Sequence, residues 1–403
     1  MFSADLQALT DDVAHRLDAP TVLEDEEQRM IAYSSHTTPI DEVRRESILR
    51  RETRPAVREW FRRYGVCESV DPVRIPRDER LGILGRLCVP VRHQRRLVGF
   101  LWLIDDEGVL GPEEVAVAVQ AARHAGIFMY EDVMVERLAT SALAQLLSPS
   151  EEVRVAAVRQ VLDEELLPGE AMVSVVVVQA VVEDATIRSS INEGVRDVTR
   201  RHPRGDLLGF PHSDHVALLV RSRGRSEEGV DRGTEVARET RKALSRRFGE
   251  QSPSATAVAG IGDPRPHLEA AHRSYREARL AARVAAAIPS FGSIAHWRDL
   301  GVYRAISLLP GVDAVHAAID PRLNRLLEEG DGELLETLET YLDLGGDGQA
   351  TAERLYLHRG TLYYRLKKAQ KVSGIDLHDG RDRLAMHLGF KIVRLAGGYP
   401  RSA

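Results

Sequence analysis

The 403-residue sequence predicts a multidomain protein in which two α/β domains are followed by an all-α domain. This length exceeds that of a typical single domain, so two to four domains are expected. Strand-like and helix-like segments alternate through residues 1–300, whereas only helical patterns follow in residues 301–400. The composition, 43% hydrophobic and 29% charged, supplies enough apolar side chains for several cores.

Composition also limits the classes of function. The formal net charge is −6, so any affinity for nucleic acid must come from a local basic patch. Two cysteines, Cys67 and Cys88, provide neither a disulfide framework nor a cysteine-rich zinc site, which is typical of a reducing compartment. The acidic first residues lack a signal-peptide pattern, and the apolar stretch 172–182 is too short for a membrane helix. We therefore expect a cytoplasmic protein.

Residues 1–130 are predicted to form the first α/β domain. A helix is expected over residues 3–18, followed by two short strands around a polar turn. An arginine-rich helical stretch covers residues 40–64, and residues 87–103 predict two further strands. Glutamates alternate with the arginines of residues 44–63 at helical pairing distances, so we expect a solvated face of ion pairs there.

A long helix is predicted to leave this domain. It begins near Pro112, with glutamates in its first turn where the helix dipole favours negative charge. Residues 113–147 would form a helix of about 50 Å. We interpret it as a connector and dimerisation element. Ser148 is expected to cap the next helix, which marks a domain boundary.

Residues 150–300 predict a second α/β domain with elements in the order β-α-β-β-α-β-α. This order favours one sheet that contains antiparallel pairs and is covered by helices. Helices are expected at 186–201 and 230–248, with a hairpin between them. His212 and His215, next to Asp214, fall at the tip of that hairpin and could bind a metal. Because no further ligand is evident, we expect an exposed loop there instead.

The all-α region contains the strongly basic segment RLYLHRGTLYYRLKKAQK, residues 354–371, with six Lys/Arg and no acidic residue. A short helix, a tight connection and a second helix match a helix-turn-helix pattern. On the second helix Leu362, Leu366, Ala369 and Val372 fall on one face and are expected to be buried. A solvated amphipathic helix with a chance excess of charge is the alternative.

The opposite side of this second helix carries the candidate DNA-contacting residues. Cations there can displace phosphate counterions, and the helix N-terminus can approach phosphates or base edges. Arg359 is the favoured guanine contact, because its planar guanidinium can make two hydrogen bonds to one base edge. The candidates are His358, Arg359, Thr361, Tyr363, Tyr364, Arg365, Lys367, Lys368 and Lys371.

The C-terminal region resembles the helix-turn-helix domain of PucR/CdaR-type bacterial transcriptional regulators. The matching residues are Leu338, Thr351, Ala352, Glu353, Leu355, His358, Arg359, Thr361, Tyr364, Arg365, Leu366, Gly374 and Leu377. Gly360 departs from the family pattern, which usually has Asn there, so the base preference is the property expected to differ. The resemblance implies a homo-oligomeric, ligand-responsive regulator that binds double-stranded operator DNA.

The middle domain resembles the diverged GGDEF-like domain of these regulators. Its hairpin, residues 209–215, lacks the second glycine and the consecutive acidic pair that an active cyclase uses to hold metal and nucleotide phosphates. We therefore expect no catalytic residue, metal or cofactor. The alternatives are a cyclase or hydrolase with a helical assembly tail, and a protein-interaction scaffold.

The first domain is similar to a GAF-type sensory domain in its order of elements and its long exit helix. This resemblance implies a pocket for an unknown small-molecule effector beneath a helical face. Trp60, Cys67, Cys88 and Trp102 are candidates for its apolar walls, and Arg74 is a candidate for pairing with an anionic ligand. The alternative for each is an ordinary core or surface residue.

Overall fold

The computed structural model divides into two compact units, residues 1–138 and 139–403. Residues 309–318 of the predicted all-α domain, and Arg51 and Glu52 of the arginine-rich stretch, lie outside the described residues. The described residues are 2–35, 40–50, 53–167, 172–181, 187–203, 205–222, 226–251, 256–308 and 319–397. Within them, none of the helices has the length and apolar character that a bilayer crossing requires.

The first unit contains a five-stranded antiparallel sheet with the strand order β2-β1-β5-β4-β3. The predicted strand pair 87–103 is confirmed as β4 and β5, whereas the predicted helical stretch 40–64 forms two helices, the second beginning at Pro55. The elements are α1 (Phe2–Leu17), β1 (Thr21–Asp25), β2 (Met30–Tyr33), α2 (Glu42–Arg50), α3 (Pro55–Arg62), β3 (Val73–Ile75), β4 (Arg86–His93), β5 (Arg96–Ile104) and α4 (Pro112–Leu146).

Both faces of this sheet are covered. Because side chains alternate along a strand, Leu101 of β5 faces one side while Phe100 and Trp102 face the other. The Leu101 side belongs to a core with α1 and the first part of α4, through Leu6 and Ala122. The other side forms a separate core with α2 and α3, which includes the side chains Val43, Val57, Phe61, Cys88, Phe100 and Trp102.

The predicted long helix is α4, which has 35 residues. The predicted cap of the next helix, Ser148, is wrong by two residues. Ser150 has the extended backbone of an N-cap and accepts a hydrogen bond from the Val153 N–H at 3.5 Å. Ser148 instead accepts from the Ser150 N–H at 3.2 Å, because Pro149 lies outside the helix, which starts at Glu151.

The second unit contains a five-stranded sheet with the order β10-β9-β6-β8-β7. Its strands and helices follow the predicted β-α-β-β-α-β-α order, and a short strand, β10, is added parallel to β9. The elements are α5 (Glu151–Asp163), β6 (Met172–Ala180), α6 (Ile187–Thr199), β7 (Leu207–Pro211), β8 (His215–Ser222), α7 (Ser226–Gln251), β9 (Ala257–Ile261), α8 (Ala271–Ala287) and β10 (Ile294–His296).

Helices alone form the rest of the second unit, as predicted for the described residues after 301. They share one apolar core with α8, since Val284 and Trp297 cluster with Leu338, Leu362 and Phe390. The helices are α9 (Tyr303–Ile306), α10 (Pro321–Glu329), α11 (Gly332–Asp343), α12 (Gly348–Arg354), α13 (Arg359–Ser373) and α14 (Gly380–Leu395).

Candidate nucleic-acid interface

Helices α12 and α13 form the helix-turn-helix, and polar side chains start both of them. Asp347 Oδ1 accepts hydrogen bonds from the Gln349 and Ala350 N–H groups at 2.8 and 3.0 Å, so it caps α12. His358 Nδ1 accepts from the Gly360 N–H at 3.2 Å and caps α13. The caps hold the start of each helix in place, and the first residues of α13 are exposed.

Between the two helices the chain turns through Tyr356, which has a φ of +55°. This left-handed conformation is uncommon for a residue other than Gly, Asn or Asp. The Leu357 N–H then bonds to the Ala352 carbonyl at 2.9 Å, which fixes the turn. The Tyr356 side chain is 96% exposed beside α13. This position could not be predicted, because residue type does not indicate a left-handed tyrosine.

One side of α13 is buried. Leu362, Leu366 and Ala369 are at most 4% exposed, as predicted, while Val372 only packs at the margin of the core. Ser373 takes the last buried position. Gly374 ends the helix with a φ of +78°, and its N–H bonds to the Gln370 carbonyl at 2.8 Å.

The opposite side of α13 carries the candidate DNA-contacting residues. The Arg359 guanidinium lies 6.0 Å from the centre of the Tyr363 ring, at the start of the helix. Arg365 differs from the others, because it is half-buried at the flank of the helix. The exposed residues are His358, Arg359, Thr361, Tyr363, Tyr364, Lys367, Lys368 and Lys371.

Two of these cations already have acidic partners within the protein. Arg365 is paired with Glu333, and the Lys368 Nζ lies 3.2 Å from Asp331 Oδ2. Asp331 also caps α11 by accepting from the Leu334 N–H at 2.8 Å. That hydrogen bond, followed by Lys368, lowers the pKa of Asp331. The acidic start of α11 therefore neutralises part of the basic side of α13, which the local sequence around residues 354–371 does not reveal.

Gly360, the departure from the family pattern, is exposed in the first turn of α13. A Cβ placed there would meet no atom nearer than the His358 Nδ1 at 3.4 Å, an ordinary van der Waals contact. The fold therefore does not require glycine at this position. The choice of residue bears on contacts at the exposed surface and on helix propensity.

The candidate effector residues of the first unit fall on different faces of the sheet. Cys88 and Trp102 are buried on the α2–α3 side, where Trp60 and Cys67 pack against the same core. Arg74 is paired opposite Leu87 and points to the other face, because its neighbours Val73 and Ile75 face the α2–α3 side. It forms an ion pair with Asp105 and donates to the Leu110 carbonyl. The structure does not bring Arg74 to the other four residues.

A buried polar cluster lies on the same α2–α3 side of the sheet. Glu24 is 4% exposed, and its Oε1 accepts from the Thr53 hydroxyl at 3.0 Å. Among the described residues its Oε2 makes no hydrogen bond of normal geometry, although the Trp102 indole lies close enough to the carboxyl to lower its pKa. Burial raises the pKa of Glu24 to about 7, against the opposing effect of Arg44. Arg86 forms a buried ion pair with Asp41.

The prediction of a solvated face over the arginine-rich stretch is wrong for Arg44. It is 3% exposed, and burial followed by the charge of Arg86 lowers its pKa to about 10. The prediction is confirmed for Arg45 and Arg50, which are exposed and paired with Glu42 and Glu46. Residue type and spacing alone did not distinguish the buried arginine from the exposed ones.

Comparisons with known proteins match two parts of the chain. The PucR C-terminal helix-turn-helix domain matches residues 334–392, and the GGDEF-like domain matches residues 136–284. These matches confirm the two resemblances seen in the sequence.

Among relatives, the "Proline-responsive transcriptional activator PutR" of Bacillus subtilis (strain 168) is 24% identical over 97% of each chain. The "DNA-binding transcriptional activator AdeR" of the same organism is 21% identical over 96% of this chain and 92% of its own. A solved structure of a regulator of polyketide synthase expression from Bifidobacterium adolescentis matches 66% of this chain and 94% of its own, at 21% identity and a TM-score of 0.28.

Proposed function

We propose that this chain, a PucR-type transcriptional regulator by its helix-turn-helix and GGDEF-like domains, binds operator DNA through α13 and responds to a small molecule in its first unit. The observation that carries the proposal is the division of α13 into two sides. Its aliphatic residues are buried in the core of the second unit, and its cations and tyrosines face outward. A helix in this arrangement can enter the major groove without losing its packing.

The residues of α13 divide into two roles on DNA. His358, Arg359 and Thr361 lie at the start of the helix, which approaches base edges in helix-turn-helix proteins. Lys367 and Lys371 lie further along the exposed side, where point charges attract phosphates of any sequence. The first group is therefore assigned to base recognition and the second to general affinity.

The effector site is assigned to the α2–α3 side of the first unit. Glu24 supplies a buried carboxyl, one oxygen of which makes no hydrogen bond of normal geometry to the described residues, and Arg44 supplies a buried guanidinium close enough to affect its pKa. Trp60, Cys67, Cys88 and Trp102 supply apolar surface around them. These groups suit a small zwitterion, with its ammonium group on Glu24 and its carboxylate on Arg44. One relative is named as proline-responsive, and proline is a small zwitterion of this kind.

The protein is proposed to act as a homodimer or higher homo-oligomer in the cytoplasm. The 35-residue helix α4 is the proposed contact between copies. A symmetric dimer would place two copies of α13 on half-sites about one helical turn apart. Effector binding would favour one placement of these two helices over others.

A nucleotide-processing enzyme is the rival function, and it has less support. The hairpin between β7 and β8 offers Asp214 as its carboxylate, and two histidines already bond to that group. Magnesium-dependent chemistry on a nucleotide needs several oxygen ligands together.

The decisive experiment selects bound fragments from random DNA with the purified full-length protein. We expect enrichment of a two-fold symmetric sequence, and a change in its affinity when amino acids are added one at a time. Turnover of a labelled nucleotide with Mg²⁺, without any enriched sequence, would establish the enzyme instead. An enriched sequence that no amino acid affects would leave DNA binding intact and overturn the assignment of the effector class.

A further inference from the structure

Three potential metal ligands meet at the tip of the β7–β8 hairpin. The Asp214 Oδ1 lies 2.7 Å from His212 Nδ1 and 2.7 Å from His215 Nδ1. The two imidazole rings are stacked, with centroids 4.6 Å apart and planes inclined by 23°. All three ligand atoms lie within 4.8 Å of one another. Asp214, between the two histidines in the sequence, is the third potential ligand.

A second layer of side chains holds this group in position. His215 is 1% exposed, and its Nε2 lies 2.8 Å from the hydroxyl of Tyr275 on α8. The Tyr275 ring also stacks on His215 at 5.8 Å. Phe210 meets the edge of His212 at 6.0 Å. A hydrogen bond to the far ring nitrogen is the usual way in which proteins orient a metal-binding histidine.

We propose that His212, Asp214 and His215 bind one divalent ion of the Zn²⁺ type through two imidazole Nδ1 atoms and one carboxylate oxygen. Nitrogen and oxygen ligands of this kind suit Zn²⁺, which takes donors at about 2.0–2.2 Å in tetrahedral geometry. Donors around such an ion are roughly 3.3 Å apart, so each Nδ1 would move about 0.6 Å away from Asp214 Oδ1. The two imidazole donors, which lie within 4.8 Å of each other, would approach the same spacing. The fourth position would face solvent, because His212 and Asp214 are exposed.

Metal binding would change which imidazole nitrogens of His212 and His215 carry hydrogen. A carboxylate only accepts hydrogen bonds, so in the metal-free site each imidazole donates its Nδ1–H to Asp214. On metal binding the hydrogen moves to Nε2, and both rings stay neutral. For His215 the new Nε2–H points at the Tyr275 hydroxyl, which can accept it. The Tyr275 hydroxyl, which donates to Nε2 in the metal-free site, must then turn its own hydrogen elsewhere, which its half-buried position allows.

One neighbouring charge opposes the ion. The Arg279 guanidinium lies 4.0 Å from Asp214 Oδ2, the carboxylate oxygen that faces away from the histidines. Its side chain is 53% exposed, so it can turn toward solvent when a cation enters. Replacing it with Gln should therefore increase the affinity for the ion.

The test is calorimetric titration of ZnCl₂ into the untagged full-length protein. We expect one ion per chain at this site, and at least about a tenfold loss of affinity in the variants His212→Ala and Asp214→Asn. Both changed residues are exposed at a hairpin tip, so the fold should be retained, and circular dichroism checks this. Tyr275→Phe should lose about tenfold through its effect on the orientation of His215.

His387→Ala is the matched control. The His387 Nε2 also lies 2.7 Å from a carboxylate, that of Asp343, and it is similarly exposed at 37%. Among the described residues a lysine, Lys391, shares that carboxylate instead of a second histidine, so this variant should bind Zn²⁺ like the parent. Equal affinity in the parent and His212→Ala, or an equal loss in His387→Ala, would overturn the proposal. The result is independent of DNA binding, so it does not bear on the proposed function.

Discussion

At the scale of single residues, Arg359 is the sharpest test of DNA recognition. Its guanidinium lies over Tyr363 at the start of α13, where a bidentate contact to guanine is possible. We predict that Arg359→Ala weakens binding to the preferred operator by about 1–3 kcal/mol and relaxes the base preference at one position. Fluorescence anisotropy with operator and with scrambled DNA measures both effects.

Lys367→Ala is the companion variant, because Lys367 is exposed further along the same helix. It should weaken binding to operator and scrambled DNA alike, and reduce the slope of log affinity against log salt by about 1. If both variants bind operator like the parent, the recognition helix is wrongly assigned.

Glu24 provides a prediction about pH. Burial raises its pKa from 4.5 to about 7 in the folded protein. Between these values the folded state keeps a proton that the unfolded state has released, so raising the pH favours unfolding. We expect the free energy of unfolding of the first unit to fall by a few kcal/mol between pH 5 and pH 8 from this group. The change is complete above the folded pKa.

The neutral variant Glu24→Gln should lose that part of the pH dependence. Urea unfolding can be followed through Trp60 and Trp102, with Trp297 replaced by Phe so that the second unit does not contribute. The parent and the variant should have similar stability near pH 5, and the variant should be more stable at pH 8. Parallel pH profiles for the two proteins would show that Glu24 ionises normally.

The sequence predicted residue roles well where local periodicity decides them. Leu362, Leu366 and Ala369 are buried because they recur on one side of a helix. Two positions were not predicted: the burial of Arg44, and the location of Arg74 on the opposite sheet face from the four apolar candidates. Their environment depends on which sheet face or neighbouring helix they meet, and that is set by tertiary packing. The burial of Glu24 was not predicted for the same reason, since nothing in the local sequence indicates that its carboxyl is buried.

At the scale of elements, composition and turn residues were sufficient to predict the order of most strands and helices. The strand β10 was missed because three residues carry too little periodic signal. The arginine-rich stretch was predicted as one helical region, and it breaks before Pro55, which occupies the first position of α3. The boundary at Ser150 shows that neighbouring serines compete for the same capping role.

The contact between α11 and α13 supports a prediction at this scale. Asp331 and Glu333 hold Lys368 and Arg365, so they compete with DNA phosphates for these cations. We predict that the double variant Asp331→Asn, Glu333→Gln binds all DNA sequences more tightly, with a salt slope steeper by up to about 2. Asn still caps α11, so the stability should change little. Anisotropy titrations at several salt concentrations measure the slope.

The control for this variant must remove the same charge elsewhere. Glu328 and Glu329 are exposed at the end of α10, and changing both to Gln removes two negative charges without changing a partner of α13. The control should bind DNA more like the parent than like the Asp331/Glu333 variant. Equal gains in affinity would mean that net charge alone, and not the release of two cations, is responsible.

At the scale of the whole molecule, the two-unit division could not be read from the sequence. The predicted boundary near residue 300 follows from the change in pattern from mixed to helical elements. In the structure Val284 and Trp297 share a core with Leu338 and Phe390, so the α/β part and the C-terminal helices form one compact unit. Contacts between residues so far apart in the chain leave no trace in local periodicity.

Helix α4 is the proposed contact between two copies of the regulator. Ile127 lies in the middle of this helix with 43% of its side chain exposed, so it is available to pack against a second copy. We expect the parent to have twice the chain mass of 44.8 kDa, and Ile127→Glu to shift it toward a single chain. Multi-angle light scattering after size-exclusion chromatography measures the mass. Val109→Glu, at a 73% exposed position just before α4, adds the same charge and should leave the dimer intact.

The Ile127→Glu variant should also lose affinity for the two-fold operator while binding an isolated half-site like the parent, because only the linkage between two DNA-binding helices is lost. A dimeric Ile127→Glu variant would place the contact between copies on another surface.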